Sequence, residues 1–338
     1  MRYRLLGRTG LRVSEMFFGA MTFYERGGPD TEQEYRAMLD TYADAGGNVI
    51  DTASAYGESE SILGELLTGR RDRFVVATKY TISRDRDDPN AAGNHRKNLT
   101  LSLESSLRRL RTDYIDLYWV HVWDRRTPVE ETMRALDDAV RAGKILYVGI
   151  SDAPAWLVSR ANTLAEWRGW TPFAGLQVPY NLLRRDVERE LLPMAEAFGM
   201  SVAAWGPLAG GVLSGKFTGP GGSGAATRID PASLTPRDHA VARAVLEVAD
   251  ELGATAAQVA IAWTRTRYAA VHPIIGASGV KQLTENLGAA DVVLPQEAVR
   301  RLESAAQFEV GFPGDFIAEC EADPWVFGEA SMRTVVRS

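Results

Sequence analysis

Four side chains that can donate, accept or polarise protons stand at or near the ends of short apolar segments. Asp51, Lys79 and His121 each end or directly follow such a segment, and Tyr56 comes five residues after Asp51. A lysine cation beside a tyrosine favours the phenolate and so lowers the pKa of the phenol, which ordinarily lies near 10. A carboxylate offsets the cost of burying the lysine, and a histidine can donate to a substrate oxygen. The combination can polarise a carbonyl and protonate the resulting alkoxide, but a nicotinamide cofactor must supply the hydride.

Each of the four residues is weak evidence when it is taken alone, and Tyr56 by itself indicates nothing. Asp51 could cap the turn that follows it, Lys79 could be a solvated lysine at the rim of the fold, and His121 could be a structural histidine. Lys79 could also form a Schiff base in a different enzyme, an isomerase or an aldolase. The combination favours acid–base catalysis, because no structural requirement asks for all four residues at matching positions.

Short apolar segments alternate with amphipathic ones along the chain, and these elements must position the four side chains. The apolar segments are mostly continuous, which is typical of parallel strands covered on both faces. Eight strands, each followed by a helix, predict a closed parallel (β/α)8 TIM barrel over residues 1–338 as a single domain, with an open doubly wound sheet as the alternative. We predict strands over 16–19, 49–51, 74–78, 115–121, 145–151, 175–178, 201–205 and 271–275. We predict helices over 32–45, 59–67, 99–110, 129–142, 155–167, 187–198, 239–252, 256–265 and 281–287.

Three segments and one helix start stand out beside this repeat. Residues 3–13 predict a small hairpin that could cover the barrel floor. Thr31 and Glu34 form a capping-box pattern at the start of the first helix. The stretch 206–236 is rich in glycine and proline and predicts a long binding loop after the seventh strand. The tail after Leu302 is aromatic, and we expect it to be irregular and to fold over the barrel mouth.

Composition excludes several classes of protein. The chain has 338 residues, of which 45% are hydrophobic and 24% charged, as in soluble globular enzymes. A net charge of −6 argues against a nucleic-acid or anionic-membrane surface. One cysteine, Cys320, rules out an internal disulfide, and the four histidines lack metal-ligand spacing, so we expect no metal. No apolar run reaches about 18 residues and no signal stretch opens the chain, so we expect a cytoplasmic protein without a membrane partner.

Several motifs resemble those of the aldo-keto reductase family and occur in the same order. The resemblance runs from about residue 5 to about residue 294 and is closest to the branch with bacterial reductases and the potassium-channel β subunits. It implies a TIM barrel that binds NADP(H) in an extended form, without a Rossmann domain, and reduces an aldehyde or ketone to an alcohol. The matching motifs are DTASAYGESE (51–60), TK (78–79), DLYWVHVWD (116–124), QVPYN (177–181) and WGPLAGG (205–211).

The resemblance also implies a role for each matching residue. Tyr56 is the general acid, Lys79 tunes it, Asp51 holds Lys79, and His121 orients the carbonyl. The start of the last predicted helix suits a phosphate, since helix N-termini bind anions. The residues implied at the nicotinamide end are Gly19, Ala20, Met21, Asp51, Ser151, Asp152, Gln177 and Trp205. Those implied at the pyrophosphate and adenosine end are Gly206, Pro207, Leu208, Gly210, Lys216, Arg228, Gly276, Ser278, Gln282, Glu285 and Asn286.

Two positions depart from the family pattern, and both touch the cofactor. Asp152 stands where an asparagine is usual, next to Ser151. The arginine that many relatives carry in the 2′-phosphate site is missing near Ser278, which leaves Lys281 and Arg228 as the candidate cations.

Aromatic side chains are expected to shape the substrate pocket. A hydrophobic or ring-bearing carbonyl compound suits such a lining, which we assign to Tyr24, Tyr56, Tyr80, His121, Trp123 and the aromatic residues of the tail. The alternative function is a regulatory subunit that senses the cofactor on the same barrel. The retained His121 favours the enzyme, because a sensor does not need the complete acid–base group.

Overall fold

A small hairpin precedes the main sheet. The structure, a computed structural model, describes residues 1–24, 27–218 and 229–329. Strands β1 (Tyr3–Leu5) and β2 (Arg12–Ser14) pair antiparallel, with Leu5 opposite Arg12. The predicted hairpin is therefore confirmed.

Eight parallel strands close into a barrel. They follow one another around the barrel in chain order, and the last strand pairs with both the first and the seventh. Nearly all of their residues are buried, which explains the continuous apolar pattern. The (β/α)8 barrel is confirmed and the open doubly wound sheet is excluded. The barrel strands are β3 (Phe17–Gly19), β4 (Val49–Asp51), β5 (Val75–Tyr80), β6 (Ile115–Val120), β7 (Ile145–Ser151), β8 (Phe173–Pro179), β9 (Ser201–Trp205) and β10 (Val271–Ile275).

Helices surround the barrel at the predicted places, and four of them start three or four residues from the predicted position, at Pro29, Arg96, Leu191 and Pro236. The first helix begins at Pro29, and its N-cap, Gly28, makes no side-chain capping bond, so the predicted capping box is wrong. The helix predicted over 187–198 starts only at Leu191, because Pro193 is tolerated in the first turn of a helix but not in its interior. The helices around the barrel are α1 (Pro29–Asp44), α2 (Ser59–Leu66), α3 (Arg96–Leu110), α4 (Val129–Arg141), α5 (Ala155–Arg168), α6 (Leu191–Phe198), α7 (Pro236–Leu252), α8 (Ala256–Trp263) and α9 (Val280–Leu287).

The barrel interior is filled from below by the hairpin and in the middle by a tryptophan. Leu6 and Val13, from the hairpin, pack with the inward-facing residues of the strands, so the hairpin covers the barrel floor. Trp119 is 1% exposed and needs space on its neighbours. A Cβ on Gly149 would lie 2.3 Å from the Trp119 ring, and one on Gly175 would lie 2.9 Å from it. Glycine at these two positions therefore makes room for the indole.

The described part of the C-terminal segment, from residue 296 to residue 329, is largely helical, contrary to the expectation of an irregular tail. It contains α10 (Gln296–Ala306), α11 (Gly314–Ala322) and α12 (Pro324–Phe327). The Arg189 guanidinium lies 4.7 Å from the Phe308 ring and donates to the Val310 carbonyl at 3.0 Å, which anchors the tail beside the segment after β8. Within the described ranges, no helix is both long enough and apolar enough to cross a membrane.

The long loop after β9 contains two short turns of 3-10 helix. They span Ala209–Ser214 and Pro231–Ser233. Residues 219–228 between them lie outside the described part of the chain.

Candidate active site

Three neighbouring strands place three of the candidate catalytic residues on one rim. Asp51 ends β4, Lys79 is the last residue but one of β5, and His121 directly follows β6. β4 pairs with β5 and β5 with β6, all in parallel, so their carboxyl ends meet at the same mouth. The sequence pattern predicted this arrangement from the strand ends alone.

The loop after β4 brings Tyr56 to the same place. Its path continues alongside β5, because the Ser54 N–H donates to the Lys79 carbonyl at 3.1 Å. The loop then turns at Gly57, whose φ of +53° is unfavourable for other residues. A Cβ there would lie 2.2 Å from the Tyr24 carbonyl oxygen. Glycine at this position therefore lets the loop close against Tyr24 and hold Tyr56 above Lys79.

Asp51 and Lys79 form a buried ion pair. Lys79 Nζ donates to Asp51 Oδ2 at 2.5 Å and to the Thr52 carbonyl at 2.8 Å. The Lys79 side chain is 0% exposed and that of Asp51 5%. Gln177 Nε2 donates to the other carboxylate oxygen, Oδ1, at 2.9 Å. Both charges are therefore paired and hydrogen-bonded, the condition under which buried charges are tolerated.

Tyr56 and His121 lie next to this pair. Lys79 Nζ is 4.9 Å from the centroid of the Tyr56 ring. The Tyr56 and His121 rings are 5.9 Å apart, centroid to centroid, and meet nearly at right angles, at 84°. The structure thus brings the four side chains singled out in the sequence into one cluster, which we call the quartet.

Burial sets the protonation of the two upper members of the quartet. Burial raises the pKa of Tyr56, and the Lys79 cation opposes this shift without cancelling it. Lys79 does act to lower this pKa, as the sequence predicted, but desolvation of the phenolate outweighs the attraction of the cation. Burial, assisted by Lys79, lowers the pKa of His121 to about 4. Near neutrality the site therefore holds a phenol and a neutral imidazole.

A network of polar side chains holds the loop that carries His121, and no pattern in the sequence predicted it. Thr81 Oγ1 accepts the His121 backbone N–H at 3.3 Å and an Asn94 amide N–H at 2.9 Å. The same Asn94 amide nitrogen donates to the Val122 carbonyl at 3.0 Å, and Asn94 Oδ1 accepts the Asp124 N–H at 2.9 Å. Thr81 has a φ of +107°, an unfavourable value for a β-branched residue. The loops after β5 and β6 are thus tied together beneath His121.

The residues expected at the nicotinamide end lie on the ends of neighbouring strands. Gly19 ends β3 and Ser151 ends β7, and both are buried. Asp152 follows Ser151 with a φ of +46°, and its Oδ1 accepts a hydrogen bond from Trp205 Nε1 at 3.4 Å. Ala20 is buried and Met21 is 42% exposed, at the start of the turn after β3. Gln177, expected to hold the carboxamide, lies close enough to this group of residues to donate to Asp51.

The residues expected around the pyrophosphate follow β9. Gly206 has a φ of +66°, and no atom lies within 4 Å of the place where its Cβ would be. Pro207 and Leu208 follow it, and Gly210 also has a positive φ, of +66°. Lys216 Nζ lies 4.9 Å from the centroid of the Phe217 ring. Arg228, the expected phosphate-binding arginine of this loop, lies outside the described residues.

The residues expected around the adenosine lie at the start of α9. Ser278 donates to Gln282 Oε1 twice, from its backbone N–H at 2.8 Å and from its hydroxyl at 3.1 Å. The Asn286 amide donates to the Gly276 carbonyl at 3.3 Å, and Glu285 is exposed. A cavity of about 280 Å³ opens beside this turn. Small residues and backbone N–H groups at a helix start fit the phosphate of a nucleotide, and the quartet, with its buried ion pair, fits the nicotinamide end.

One expected substrate contact is wrong. Tyr80 is fully buried on the opposite side of β5 from Lys79, since successive residues of a strand face opposite sides. Its ring stacks on Tyr118 with the centroids 5.3 Å apart, and its hydroxyl donates to the Asn94 carbonyl at 3.2 Å. Tyr80 therefore supports the loop network and does not line the pocket. Tyr24, by contrast, is 56% exposed at the rim, and Trp123 is half-buried two residues after His121.

Sequence comparison relates the chain to a known family and to several known proteins. The family model described as "Aldo/keto reductase family" matches residues 15–307. A putative aryl-alcohol dehydrogenase of Saccharomyces cerevisiae is 37% identical over 98% of this chain and 93% of its own length. A norsolorinic acid reductase of Emericella nidulans is 42% identical over 92% of this chain and 82% of its own. An NADP(+) aryl-alcohol dehydrogenase of Phanerodontia chrysosporium is 37% identical over 90% of this chain and 85% of its own. The chain therefore belongs to the aldo/keto reductase family.

Proposed function

We propose that this protein is an NADP(H)-dependent oxidoreductase that reduces an aldehyde or a ketone to an alcohol. The observation that carries the proposal is the quartet, in which Tyr56 lies over a buried, carboxylate-paired Lys79 with the neutral His121 beside it. Membership of the aldo/keto reductase family supports an oxidoreductase that acts on carbonyl compounds.

The residues of the quartet divide the proton chemistry among them. The neutral His121 donates a hydrogen bond to the substrate carbonyl oxygen and so polarises it. Tyr56 gives its phenolic proton to the oxygen as negative charge develops there. Lys79 stabilises the phenolate that remains, and Asp51 pairs with Lys79 and holds it in position. When bound, the nicotinamide cofactor supplies the hydride that goes to the carbonyl carbon.

The raised pKa of Tyr56 suits an acid in the reductive direction. Because burial holds the phenol protonated near neutrality, the proton is present before the carbonyl arrives. In the reverse direction Tyr56 must first lose this proton, so alcohol oxidation needs a higher pH than carbonyl reduction. The geometry supports reduction as the favoured direction near neutrality.

The cofactor would extend from the quartet to the start of α9. Ser151, Asp152 and Trp205 would hold the nicotinamide end, Gly206 with Lys216 the pyrophosphate, and Ser278 with Gln282 the adenosine phosphate. The relative from Phanerodontia chrysosporium carries NADP(+) in its name, which supports the phosphorylated cofactor.

An aromatic carbonyl compound is the substrate class that we propose. The relatives are named aryl-alcohol dehydrogenases and norsolorinic acid reductases. Trp123, half-buried two residues after His121, and Tyr24 at the rim offer flat apolar surfaces on which a ring can pack.

The proposal is tested by following NADPH absorbance with a panel of aromatic and aliphatic aldehydes, ketones and keto-sugars. We expect turnover with aromatic aldehydes or ketones in the wild-type protein. Tyr56→Phe keeps the ring but removes the proton, so kcat should fall by about 10²–10⁴-fold, the usual contribution of a general acid. The Kd of NADPH, measured by quenching of tryptophan fluorescence, should stay within about twofold, since only the reacting proton is lost. Turnover retained by Tyr56→Phe contradicts the mechanism.

A further inference from the structure

Glu34 belongs to α1, but its carboxylate bonds to the start of α9. Its Oε1 accepts the Val280 N–H at 2.7 Å, a contact between residues 246 positions apart in the sequence. A Cβ on Gly279 would lie 2.8 Å from the same oxygen, so the glycine there leaves room for the carboxylate. Val280 is the first residue of α9, where backbone N–H groups have no partner within the helix. The carboxylate therefore occupies a donor that an anionic ligand would otherwise use.

The surroundings of this contact are more negative than a phosphate site requires. The cavity of about 280 Å³ is lined by Glu34, by residues 278–282 and by Glu285. Two carboxylates, from Glu34 and Glu285, thus face it, and Lys281 is the one cation among its described lining residues. The Ser278 N–H is also occupied, by Gln282 Oε1, but that acceptor carries no charge. Of the two acceptors at this turn, Glu34 is the one that repels an anion.

A cofactor with a 2′-phosphate and one with a free 2′-hydroxyl meet this carboxylate differently. The phosphate brings close to two negative charges and must compete with Glu34 for the helix start. A hydroxyl carries no charge and can donate a hydrogen bond to a carboxylate, as the ribose does to an acidic residue in dinucleotide-binding folds. The charge of Glu34 therefore weakens the binding of the cofactor with a 2′-phosphate and does not weaken the binding of the cofactor with a free 2′-hydroxyl.

We propose that Glu34 is a specificity-determining residue, which weakens the binding of NADPH relative to NADH so that the enzyme accepts both cofactors. This inference rests on the proposed function, because it places the adenosine phosphate of the cofactor at the start of α9.

The experiment measures the Kd of NADPH and NADH by fluorescence quenching in the wild type and in Glu34→Gln. The glutamine keeps an oxygen that can accept the Val280 N–H and removes only the charge. The Kd of NADPH should fall and that of NADH should change little, so the Kd of NADH divided by that of NADPH should rise by about tenfold. A change of this size is expected when one unit charge beside a phosphate is removed at a partly solvated site. Glu34→Ala, which also removes the acceptor, should shift the ratio in the same direction.

A matched control comes from the same helix. Glu32→Gln makes the same change of charge at an exposed position of α1, and the ratio should keep its wild-type value. Titration with 2′,5′-ADP and 5′-ADP, followed by calorimetry, should reproduce the shift without any nicotinamide.

The outcomes separate this inference from the proposed function. Suppose that the wild type binds both cofactors, and that both Glu34 variants have the circular dichroism of the wild type and the same ratio of NADH to NADPH Kd values. Glu34 then does not determine specificity, and the proposed reductase stands. If the wild type binds neither cofactor, the proposed function fails and this inference fails with it.

Discussion

The two ends of the proposed cofactor site are built on opposite principles. At the quartet, every charge is buried and paired, with the Lys79 side chain 0% exposed against Asp51. At the start of α9, the side chains are largely exposed, and their oxygens occupy backbone donors of the helix. The quartet is held by residues on barrel strands and the loops next to them, whereas Glu34 and Gln282 come from the surrounding helices.

This difference assigns the two ends different tasks. Charges in a water-excluded site interact strongly, and their positions are costly to change. Charges in contact with solvent are screened, so substitutions there alter affinity by small steps and leave the chemistry intact. The quartet should therefore determine the reaction, and the start of α9 should determine which cofactor binds.

The strongest test of the buried end removes one partner of the ion pair. Lys79→Met leaves the Asp51 carboxylate buried without its cation, which should cost about 3–5 kcal/mol of unfolding free energy. Urea denaturation measures this loss, and turnover should be lost as well. Lys144→Met breaks a half-exposed ion pair with Glu104 and should cost at most about 1 kcal/mol.

A double substitution separates stability from catalysis at the same place. Asp51→Leu combined with Lys79→Met should recover much of the stability, because no charge then remains buried, and should recover no activity. If Lys79→Met loses as little unfolding free energy as Lys144→Met, the buried ion pair of the quartet does not differ in energy from an exposed one, and the contrast between the two ends of the site is wrong.

Acid should unfold the protein through its buried neutral histidines. Burial lowers the pKa of His272, at the barrel floor, and of His121 to about 4 each. Between pH 7 and pH 5 these histidines become protonated in the unfolded chain but stay neutral in the folded protein. The free energy of unfolding therefore falls as the pH falls. For the fully buried His272 the loss should be about 2 kcal/mol over this range. Urea denaturation across the range should show a shallower decline for His272→Gln, and an undiminished slope would contradict the burial argument.

The exposed end should respond to a lost cation only mildly. Lys281→Gln should raise the KM for NADPH about threefold to tenfold at low ionic strength, while kcat stays unchanged. The effect should shrink as NaCl is added, because the Debye length shortens from about 10 Å at 0.1 M to about 3 Å at 1 M and the attraction between exposed charges weakens. With NADH the same substitution should have a smaller effect, since no 2′-phosphate is present. A fall in kcat would show that the two ends are coupled.

Much of the quartet could be predicted because its geometry follows from the barrel. Once eight parallel strands are recognised, the residues at their carboxyl ends must share one rim, which brings Asp51, Lys79 and His121 together. Tyr80 was misplaced because its neighbour Lys79 faces the pocket, and alternation along the strand sends Tyr80 the other way. The sequence also could not predict whether burial or the Lys79 cation dominates the pKa of Tyr56, since this depends on how deeply the ring is buried.

The sequence by itself determined the barrel, the order of its strands and the identity of the quartet, because periodicity and strand ends are local properties. Only the tertiary structure decided the partners of Glu34 and Gln177. The spacing of Thr31 and Glu34 predicted a capping box within α1, yet the Glu34 carboxylate bonds to Val280. Gln177 likewise reaches Asp51 across the barrel mouth. A hydrogen bond between distant segments depends on how helices and strands pack, and no local pattern in the sequence records that packing.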